Sequence, residues 1–488
     1  MKTDVEENDP LLDSLNVQYG SSNVTSQNNS DAATDLSVNQ VLESTSLPHD
    51  TNSVLSEILD TLSLAIPIFF SSVSWVGMKT TDTALLGHVG PTALSAAALS
   101  DLYTMCSGVL VQGRVLGILV SQSIGADNPL LAGIYLRVSL LVLSMLLVPV
   151  IVAWLFTGMF WQYFGEPASL YDDAQYYSTV LAVALPAMVF SSQLSQFFSA
   201  QRIMHPEVNA SLLGLAANLL LGLVLVLGVG VQNFEGFGFE ACPIVTSSVV
   251  YIKTYFMWFV YCHVQGLHLP CWGKNSMVTW KDEITKERVR TFSKLYFPSA
   301  LSMASDFWRM GVVGGMAASL GDDEVGVFNA SYRIFWMCLI LSGAIARAVG
   351  IKIGMAFGAG NSIGAKRSAS IGLALAFGIL VLVATLISIN IELIGSIFTS
   401  DPILLEMFEE MKWPFVTGLF FMNLAVVIEQ IPMSMGRTDD IFYAGFVASW
   451  LGKLNERNIV FKTFSSFKFL INFRASSGRI HMHNLLEE

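Results

Sequence analysis

Three features of the sequence predict an all-α protein that crosses a membrane many times. Of its 488 residues, 53% are hydrophobic and only 13% are charged, whereas soluble domains carry about 25% charged residues. Apolar runs of about 20 residues, the length needed to cross a bilayer as a helix, recur along most of the chain. Basic residues collect in alternate connections between these runs, as they do around spanning helices.

The apolar windows predict ten complete spans and one fragment. The complete spans lie near residues 62–86, 93–121, 131–157, 175–200, 207–230, 241–264, 294–319, 326–357, 368–398 and 414–435, and the fragment at 441–451. The longest polar connection, residues 265–293, is a predicted cytoplasmic linker between two lobes. The first lobe, residues 58–264, holds six helices, and the second, residues 294–451, holds four helices and the fragment.

The charges of the connections also predict the orientation. If the N-terminus is cytoplasmic, the even-numbered connections are cytoplasmic and carry most of the basic residues. These residues are Arg202, Lys274, Lys281, Lys286, Arg288, Arg290, Lys366, Arg367 and Arg437. The odd-numbered connections are acidic, and Lys412 is the main exception.

Residues 1–57 differ from the rest of the chain, since they are rich in Ser, Asn, Asp and Thr. Such a composition buries too little apolar surface to fold, so we predict a disordered cytoplasmic tail. The tail has no apolar stretch of the kind found in a secretory signal peptide. Within it, Glu7, Leu11 and Leu12 match the acidic dileucine pattern, which resembles a sorting signal read by adaptor proteins. The pattern indicates a vacuolar or lysosomal membrane, with the plasma membrane as the alternative.

The two halves of the chain repeat three landmarks in the same order. These are a proline within a helix, a Leu-Gly pair near its end and a Gly-Ala-x-Asn segment after the next helix. They stand at Pro67, Leu86 and Gly125, and again at Pro298, Leu320 and Gly358. One such pair alone would be explained by helix C-caps, but three in register predict parallel repeats. The two lobes are therefore expected to face each other across a central cleft, related by a pseudo-twofold axis.

Several segments resemble signatures of the multidrug and toxic compound extrusion (MATE) family, of the eukaryotic type. In chain order they are Val76–Gly90, Ser121–Ala126, Gln201 with Pro206, Ala346–Gly350 with Gly358–Gly360, and Ser434–Arg437. The resemblance implies twelve helices in two six-helix lobes, of which the second is incomplete here. It also implies a secondary antiporter that exports organic cations, other xenobiotics or metabolites by alternating access. Protons or sodium would be the coupling ion.

Two acidic residues in the apolar spans are the first candidates for coupling. A charged side chain at mid-membrane costs about 2.5–3.5 kcal/mol on insertion scales, so it usually faces a cavity. Asp306 stands at a position similar to the membrane glutamate of eukaryotic family members, and Asp82 resembles the aspartate of bacterial members. Either carboxyl could hold a proton and release it when a cationic substrate supplies the counter-charge. The alternatives are an ion pair of Asp306 with Arg309, and a position of Asp82 at the membrane edge near His88.

Aromatic residues near Asp306 are candidates for contact with a cationic substrate. Trp308 is a predicted residue of the substrate site. Phe307, Tyr332 and Trp336 are predicted to line the cleft between the lobes. Tryptophan and tyrosine at the membrane interface are the ordinary alternative.

The remaining candidates carry weaker signals. Asn218 resembles the asparagine of the first-lobe ion site, but the expected aspartate four residues later is Gly222, which argues against sodium. Glu429 could substitute for an acidic residue expected near Asn423. Gln112 is a cavity-lining candidate, although it is first interpreted, like Arg114, Gln193, Gln196 and Arg347, as a residue that hydrogen-bonds neighbouring helices.

Other function classes find no support in the sequence. The five cysteines show no metal-ligand spacing. The sequence has no stripe of basic residues of the kind that binds nucleic acid. No catalytic constellation or Walker loop is present, so we expect neither an enzyme nor an ATP-driven pump, and no cofactor. The expected partners are small organic substrates, a coupling ion and membrane lipid.

The hydrophobic pattern stops after Trp450, where charged residues recur at intervals too short for a span. We predict that residues 452–488 are a non-family tail, derived from an alternative transcript or a faulty gene model. This break leaves two rival hypotheses open: a non-transporting relative that acts as a regulator, and a flippase for lipid-linked oligosaccharides. A flippase would be expected to line its cleft with cations, whereas Asp82 and Asp306 are acids.

Overall fold

The computed structural model of the protein describes residues 51–272, 283–318, 322–398 and 402–447. Every regular element within these residues is a helix, which confirms the all-α prediction. The predicted sorting residues Glu7, Leu11 and Leu12 and the segment 452–488 lie outside the described residues. The first helix begins at Thr51, so it includes the last residues assigned to the tail.

Nine helical segments of the described residues are long and apolar enough to cross a membrane. They are Val54–Val89, Pro91–Gly125, Pro129–Trp154, Ala168–Ala200, His205–Leu225, Gly238–Val264, Ala330–Gly358, Ser362–Ile389 and Lys412–Ser434. The helix Lys286–Ala318 is also long, at 33 residues, but polar residues such as Asp306 and Arg309 lower its hydropathy. The protein is a multi-pass integral membrane protein.

The first lobe contains eight helices. They are α1 (Thr51–Val89), α2 (Pro91–Gly108), α3 (Val115–Gly125), α4 (Pro129–Trp154), α5 (Thr157–Tyr163), α6 (Ala168–Ala200), α7 (His205–Leu225) and α8 (Ala241–Phe256). A π-helical segment, Met257–Val264, continues α8.

The second lobe contains seven helices among the described residues. They are α9 (Lys286–Ala318), α10 (Asp322–Gly358), α11 (Ser362–Ile389), α12 (Ile391–Phe398), α13 (Pro402–Glu410), α14 (Lys412–Ser434) and α15 (Thr438–Phe446). Helix α9 thus begins inside the predicted connection 265–293, because the residues after Lys286 continue as a regular helix into the apolar run.

The repeated Gly-Ala-x-Asn segments start the following helices. The Asn128 side chain accepts a hydrogen bond from the Leu131 N–H at 3.1 Å, at the start of α4. The Asn361 side chain accepts one from the Gly364 N–H at 2.8 Å, at the start of α11. Asparagine is a favoured N-cap because its side chain satisfies an N–H left free by the first turn. The landmark therefore does two things in both lobes: it ends one helix, with Asp127 or Gly360 in the left-handed conformation, and its asparagine is the N-cap of the next helix.

The second predicted span, 93–121, is interrupted near its middle. The α-helical pattern ends at Gly108, passes through a short 3₁₀ turn and resumes at Val115. Two side chains satisfy the backbone groups freed there. The Tyr296 hydroxyl donates to the Leu110 carbonyl at 2.9 Å and accepts from the Gly113 N–H at 3.1 Å, and the Gln196 amide donates to the Gly113 carbonyl at 3.3 Å. Irregular backbone persists at membrane depth only where protein satisfies it in this way.

Replacing Tyr296 with phenylalanine is expected to destabilise the protein by about 1–3 kcal/mol, because the buried Leu110 carbonyl and Gly113 N–H then lose their partner. Unfolding in mixed detergent micelles measures the loss. Tyr163→Phe is the control, since Tyr163 is 87% exposed. Equal stability of the two variants would contradict the role assigned to Tyr296.

The first helix of each repeat packs against the opposite lobe. Near its start, α1 joins a core formed mainly by α10, which contains Leu64, Ala65, Ile68, Ala344, Ala348 and Val349. In the same way, α9 buries Phe292, Leu295 and Tyr296 in the core of the first lobe. This reciprocal packing relates the lobes by the predicted pseudo-twofold symmetry.

The connection between the lobes is fixed to α4. The Arg137 guanidinium lies 4.9 Å from the centre of the Trp272 ring and 2.7 Å from the Glu283 carboxylate. A Cβ on Gly133 would lie 2.0 Å from the Cys271 carbonyl oxygen, so only glycine permits this approach. The two described ends of the connection therefore both contact the first lobe.

Candidate ion and substrate sites

Asp82 lies inside the first lobe and not at its edge. Its side chain is on α1 and is 4% exposed. One carboxylate oxygen accepts a hydrogen bond from the Asn218 amide of α7 at 3.0 Å, and the other accepts one from the Thr246 hydroxyl of α8, also at 3.0 Å. Three helices therefore converge on one carboxyl group. The structure brings together Asp82 and Asn218, two of the candidates named from the sequence, and adds Thr246.

The Leu85 side chain lies against Gly222, the position at which the family resemblance implies an aspartate. A Cβ at Gly222 would lie 2.4 Å from a methyl carbon of Leu85. The space that an aspartate would occupy is thus filled by the Leu85 side chain. The Asn218 side-chain oxygen is buried without a hydrogen-bond partner among the described residues, so one acceptor beside Asp82 remains unused.

An ion pair stands next to this site. The Lys79 ammonium on α1 lies 2.9 Å from the Asp101 carboxylate on α2. Lys79 precedes Asp82 by three residues, so both side chains lie on the same face of α1. Sequence reasoning did not single out Lys79 or Asp101, although the rule applied to Asp82, that charge within an apolar span needs a reason, would have identified Lys79 as well.

Asp306 and the aromatic candidates form a second cluster, between α9 and α10. The Asp306 carboxylate lies 2.8 Å from the guanidinium of Arg309, which is 3% exposed, while the Asp306 side chain is 40% exposed. The Phe307 and Trp336 rings are 5.8 Å apart, and Tyr332 lies 6.0 Å from Trp336. The ion pair considered as the alternative for Asp306 is therefore present, and the rings of Phe307, Trp336 and Tyr332 form a row of contacts between α9 and α10.

Trp308 stands two residues after Asp306, so it lies on a different face of α9, and it joins this helix to α2. Its indole N–H donates to the Cys106 carbonyl at 3.1 Å, yet 42% of the residue remains exposed. The ring is thus held in place by one hydrogen bond and still offers a free surface.

The remaining candidates lie outside both clusters. Asn423 occupies the position where an acid was expected; it is fully buried and accepts a hydrogen bond from the Ser342 hydroxyl at 2.7 Å. Glu429 lies further along α14 and is partly exposed. Gln112 is exposed within the interruption between α2 and α3. None of the groups of His, Cys, Asp and Glu among the described residues could hold a metal ion.

The structure also places a basic residue between the lobes. The Arg347 guanidinium donates to the Ser72 hydroxyl at 2.5 Å and lies 3.9 Å from the Glu207 carboxylate. Arg347 thus joins helices, as predicted, and its contacts with Ser72 on α1 and Glu207 on α7 connect the two lobes.

One end of the bundle is closed by contacts between the lobes. At this closed end, a Cβ on Gly125 would lie 2.0 Å from the Met355 carbonyl oxygen, and a Cβ on Gly358 would lie 2.0 Å from the Gln122 carbonyl oxygen. Helices α3 and α10 therefore cross at backbone contact distance, in a reciprocal arrangement. The Gln122 amide also donates to the Ser434 carbonyl at 2.9 Å.

Charged groups reinforce the closed end. The Lys352 ammonium on α10 lies 2.6 Å from the Glu57 carboxylate and 2.9 Å from the Asp60 carboxylate, both on α1. Arg202 is paired with Asp60 as well. These contacts were not predicted, because sequence alone did not reveal that α1 packs on the second lobe.

The helices and their buried charged groups define an all-α, multi-pass membrane protein with polar sites inside the bundle. A family model described as MatE matches residues 67–224 and 298–454, once in each lobe. Because these matches cover more than half of the sequence, the chain belongs to the MatE family. The family predicted from the sequence signatures is confirmed.

Individual relatives agree with this assignment. The chain is 26% identical to multidrug and toxin extrusion protein 1 of Danio rerio over 353 residues, which are 71% of the chain and 57% of the relative. It is 25% identical to multidrug and toxin extrusion protein 2 of Oryctolagus cuniculus over 343 residues, 69% of the chain and 55% of the relative. The chain thus spans a little over half the length of these relatives.

A solved structure shares the fold. The crystal structure of the eukaryotic MATE transporter AtDTX14 superimposes with a TM-score of 0.76 at 17% identity, covering 89% of this chain and 96% of that one.

Proposed function

We propose that the protein is a secondary active antiporter that exports organic cations or other xenobiotics and metabolites in exchange for protons, by alternating access. The observation that carries the proposal is the buried carboxyl of Asp82 between Asn218 and Thr246. The relatives named for multidrug and toxin extrusion support the same activity. No cofactor takes part in the proposed mechanism.

The surroundings of Asp82 favour a proton over sodium as the coupling ion. An ionised carboxylate within a membrane is costly unless a proton or a cation neutralises it. Sodium, as a hard cation, requires several oxygen ligands. Asn218 and Thr246 instead direct an N–H and an O–H toward Asp82, and Leu85 fills the place of a second carboxylate. Such donors stabilise the ionised form while the proton is absent.

We propose that the ion pair of Lys79 and Asp101 responds to each protonation and deprotonation of Asp82. When Asp82 loses its proton, the ammonium of Lys79 on the same face of α1 is attracted to it, at the expense of its contact with Asp101. Protonation of Asp82 restores the observed pair. The proposed role of Lys79 is to link the charge of Asp82 to the packing of α1 against α2.

Substrate is proposed to reach the cluster of Asp306, Trp308, Phe307, Tyr332 and Trp336. The partly exposed Asp306 carboxylate would attract an organic cation in competition with Arg309, and each aromatic ring that the cation contacts contributes about 0.5–2 kcal/mol. Asp306→Asn is therefore expected to raise the half-saturating concentration of tetraethylammonium by about tenfold, as loss of a charged contact does.

Transport kinetics in proteoliposomes measure this effect. Asp440→Asn is the matched control, because Asp440 also pairs with an arginine three residues away, at an exposed site. Equal kinetic constants for the two variants would contradict the proposed role of Asp306 in the substrate site.

The proposed orientation places the N-terminus and the closed end on the cytoplasmic side, in keeping with the distribution of basic residues. The contacts of Gly125, Gly358 and Lys352 then form a cytoplasmic gate. Opening of this gate would admit substrate. The vacuolar or lysosomal destination, and the adaptor that would read it, remain proposals that rest on Glu7, Leu11 and Leu12.

Uptake of tetraethylammonium into proteoliposomes with an acidic interior tests the function. We expect accumulation that depends on the proton gradient and is unchanged by an imposed sodium gradient. Accumulation driven by sodium alone would refute proton coupling, and binding without any uptake would favour a non-transporting relative.

A further inference from the structure

The short helix α5 and its two neighbouring residues carry a row of exposed, mostly aromatic side chains. Five large apolar residues are exposed at intervals of three and four: Phe156, Met159, Phe160, Tyr163 and Phe164. This spacing places them on one face of the helix, called here the aromatic face. A surface in water seldom exposes so many large apolar side chains together, so the aromatic face indicates an interaction surface.

The opposite face of α5 is fixed to the bundle. Thr157 and Gly158 are buried there, and the Gly158 N–H donates to the Gln175 side chain of α6 at 2.7 Å. The Trp161 indole N–H donates to the Leu99 carbonyl of α2 at 3.1 Å. These bonds hold α5 against two spanning helices, so its aromatic face points away from the bundle.

The length of α4 determines where α5 lies relative to the membrane. Helix α4 has 26 residues and is therefore about 39 Å long, more than the hydrocarbon core of about 30 Å. It follows Gly125 and so starts at the closed end. Helix α5 begins three residues after α4 ends, at the boundary where the chain leaves the core on the opposite side of the membrane. The acidic residues that follow, Glu166, Asp172 and Asp173, are typical of a segment in water.

The aromatic face continues the exposed face of α4. Exposed apolar side chains lie along α4 and the junction after it at the same intervals: Leu141, Met145, Val148, Val152 and Leu155. Backbone hydrogen bonds of 3.0 Å, donated by residues 155 and 156, keep the helical path through the junction. An exposed apolar row on a spanning helix contacts lipid, and the aromatic face extends this row without a break.

The segment around α5 offers no positive charge to a lipid headgroup. The sequence has no Lys, Arg or His between Arg137 and Arg202. Attraction of anionic headgroups requires such residues near the membrane surface. Contact of α5 with lipid therefore depends on its aromatic and apolar side chains.

We propose that α5 is an interfacial helix, which lies at the headgroup level of the leaflet opposite the closed end and buries its aromatic face among phospholipids. Aromatic side chains favour this level of a bilayer, and a tyrosine combines an apolar ring with a polar hydroxyl. An interfacial helix buries its apolar face by about 5–10 Å into the boundary between headgroups and acyl chains. The inference concerns membrane placement and is independent of the proposed transport function.

A spin label on the aromatic face tests this placement. The five native cysteines are replaced, Tyr163→Cys is introduced and labelled, and the full chain is reconstituted in phosphatidylcholine vesicles. Collisions of the label with oxygen, which concentrates in lipid, and with a water-soluble nickel chelate give its depth. We expect a depth of about 5–10 Å. Met159→Cys, on the same face, should give a similar depth, and it provides the measurement if the first variant does not fold.

Gln162→Cys is the matched control, because Gln162 is exposed on α5 but lies outside the aromatic face. Its label should collide mainly with the nickel chelate. Equal access of the chelate to the labels at positions 162 and 163 would place α5 in water. A label at position 163 that neither reagent reaches would show that protein, such as a second copy of this chain, covers the aromatic face. Either result would overturn the inference.

A change of headgroup charge tests the nature of the contact. We expect the label of Tyr163→Cys to keep its depth when half of the phosphatidylcholine is replaced by phosphatidylglycerol, because α5 and its flanking segments carry no basic residue. A label that reaches the interface only in vesicles with phosphatidylglycerol would show that attraction of anionic headgroups holds α5, and would contradict the aromatic contact.

Discussion

Asp82→Asn is expected to abolish proton-driven exchange of tetraethylammonium in proteoliposomes. Asparagine has nearly the shape of aspartate, so the packing between α1, α7 and α8 is retained. It has no proton to gain or lose over the working pH range, and the proposed cycle depends on that proton. Exchange should therefore fall to the rate of protein-free vesicles at every pH, while tetraethylammonium still binds.

Asp440→Asn serves again as control, since it makes the same change at an exposed carboxylate. It should exchange at the wild-type rate. If Asp82→Asn exchanged tetraethylammonium as fast as this control, with the same dependence on pH, Asp82 would not be the coupling group.

Gly358→Ala is expected to open the closed end. The new methyl group would lie 2.0 Å from the Gln122 carbonyl oxygen. Because the oxygen belongs to the backbone of α3, relief requires the two helices to move apart, at a cost of about 1–3 kcal/mol or more for overpacking. A single cysteine at Ser121, which is 1% exposed, reports this change when the five native cysteines are replaced. It should react faster with a membrane-impermeant maleimide once Gly358→Ala is introduced.

Gly343→Ala is the matched control on the same helix, because a Cβ there meets no atom within 4 Å. It should leave the reaction rate of the reporter cysteine unchanged. Equal rates for the two alanine variants would show that the crossing of α3 and α10 does not hold the closed end.

Hydropathy predicted most of the fold, because spanning a bilayer imposes a length and an apolar composition that a sequence displays directly. The orientation inferred from loop charge stays a prediction. The same windows could not reveal the interruption at residues 109–114. It is stabilised by Tyr296 and Gln196, which lie far from it in sequence. The local signals were Gly108, Gln112, Gly113 and Arg114 within one apolar span.

The candidate sites were predicted in part. Asp82 and Asp306 stood out because charged groups in apolar spans are costly, and Asn218 stood out because of the family resemblance. Thr246 did not, because a threonine is common in any membrane helix and its contact with Asp82 depends on how α8 packs against α1.

Proton release on substrate binding tests the proton-coupled mechanism most directly. Purified protein in a weakly buffered detergent solution is mixed with tetraethylammonium, and a pH-sensitive dye reports the change in the pH of the solution. If substrate and proton compete through Asp82, the wild-type protein will release up to about one proton per substrate bound, as linkage requires, and Asp82→Asn will release none. Substrate binding by the wild-type protein without proton release, or equal proton release by both proteins, would contradict the proton-coupled mechanism.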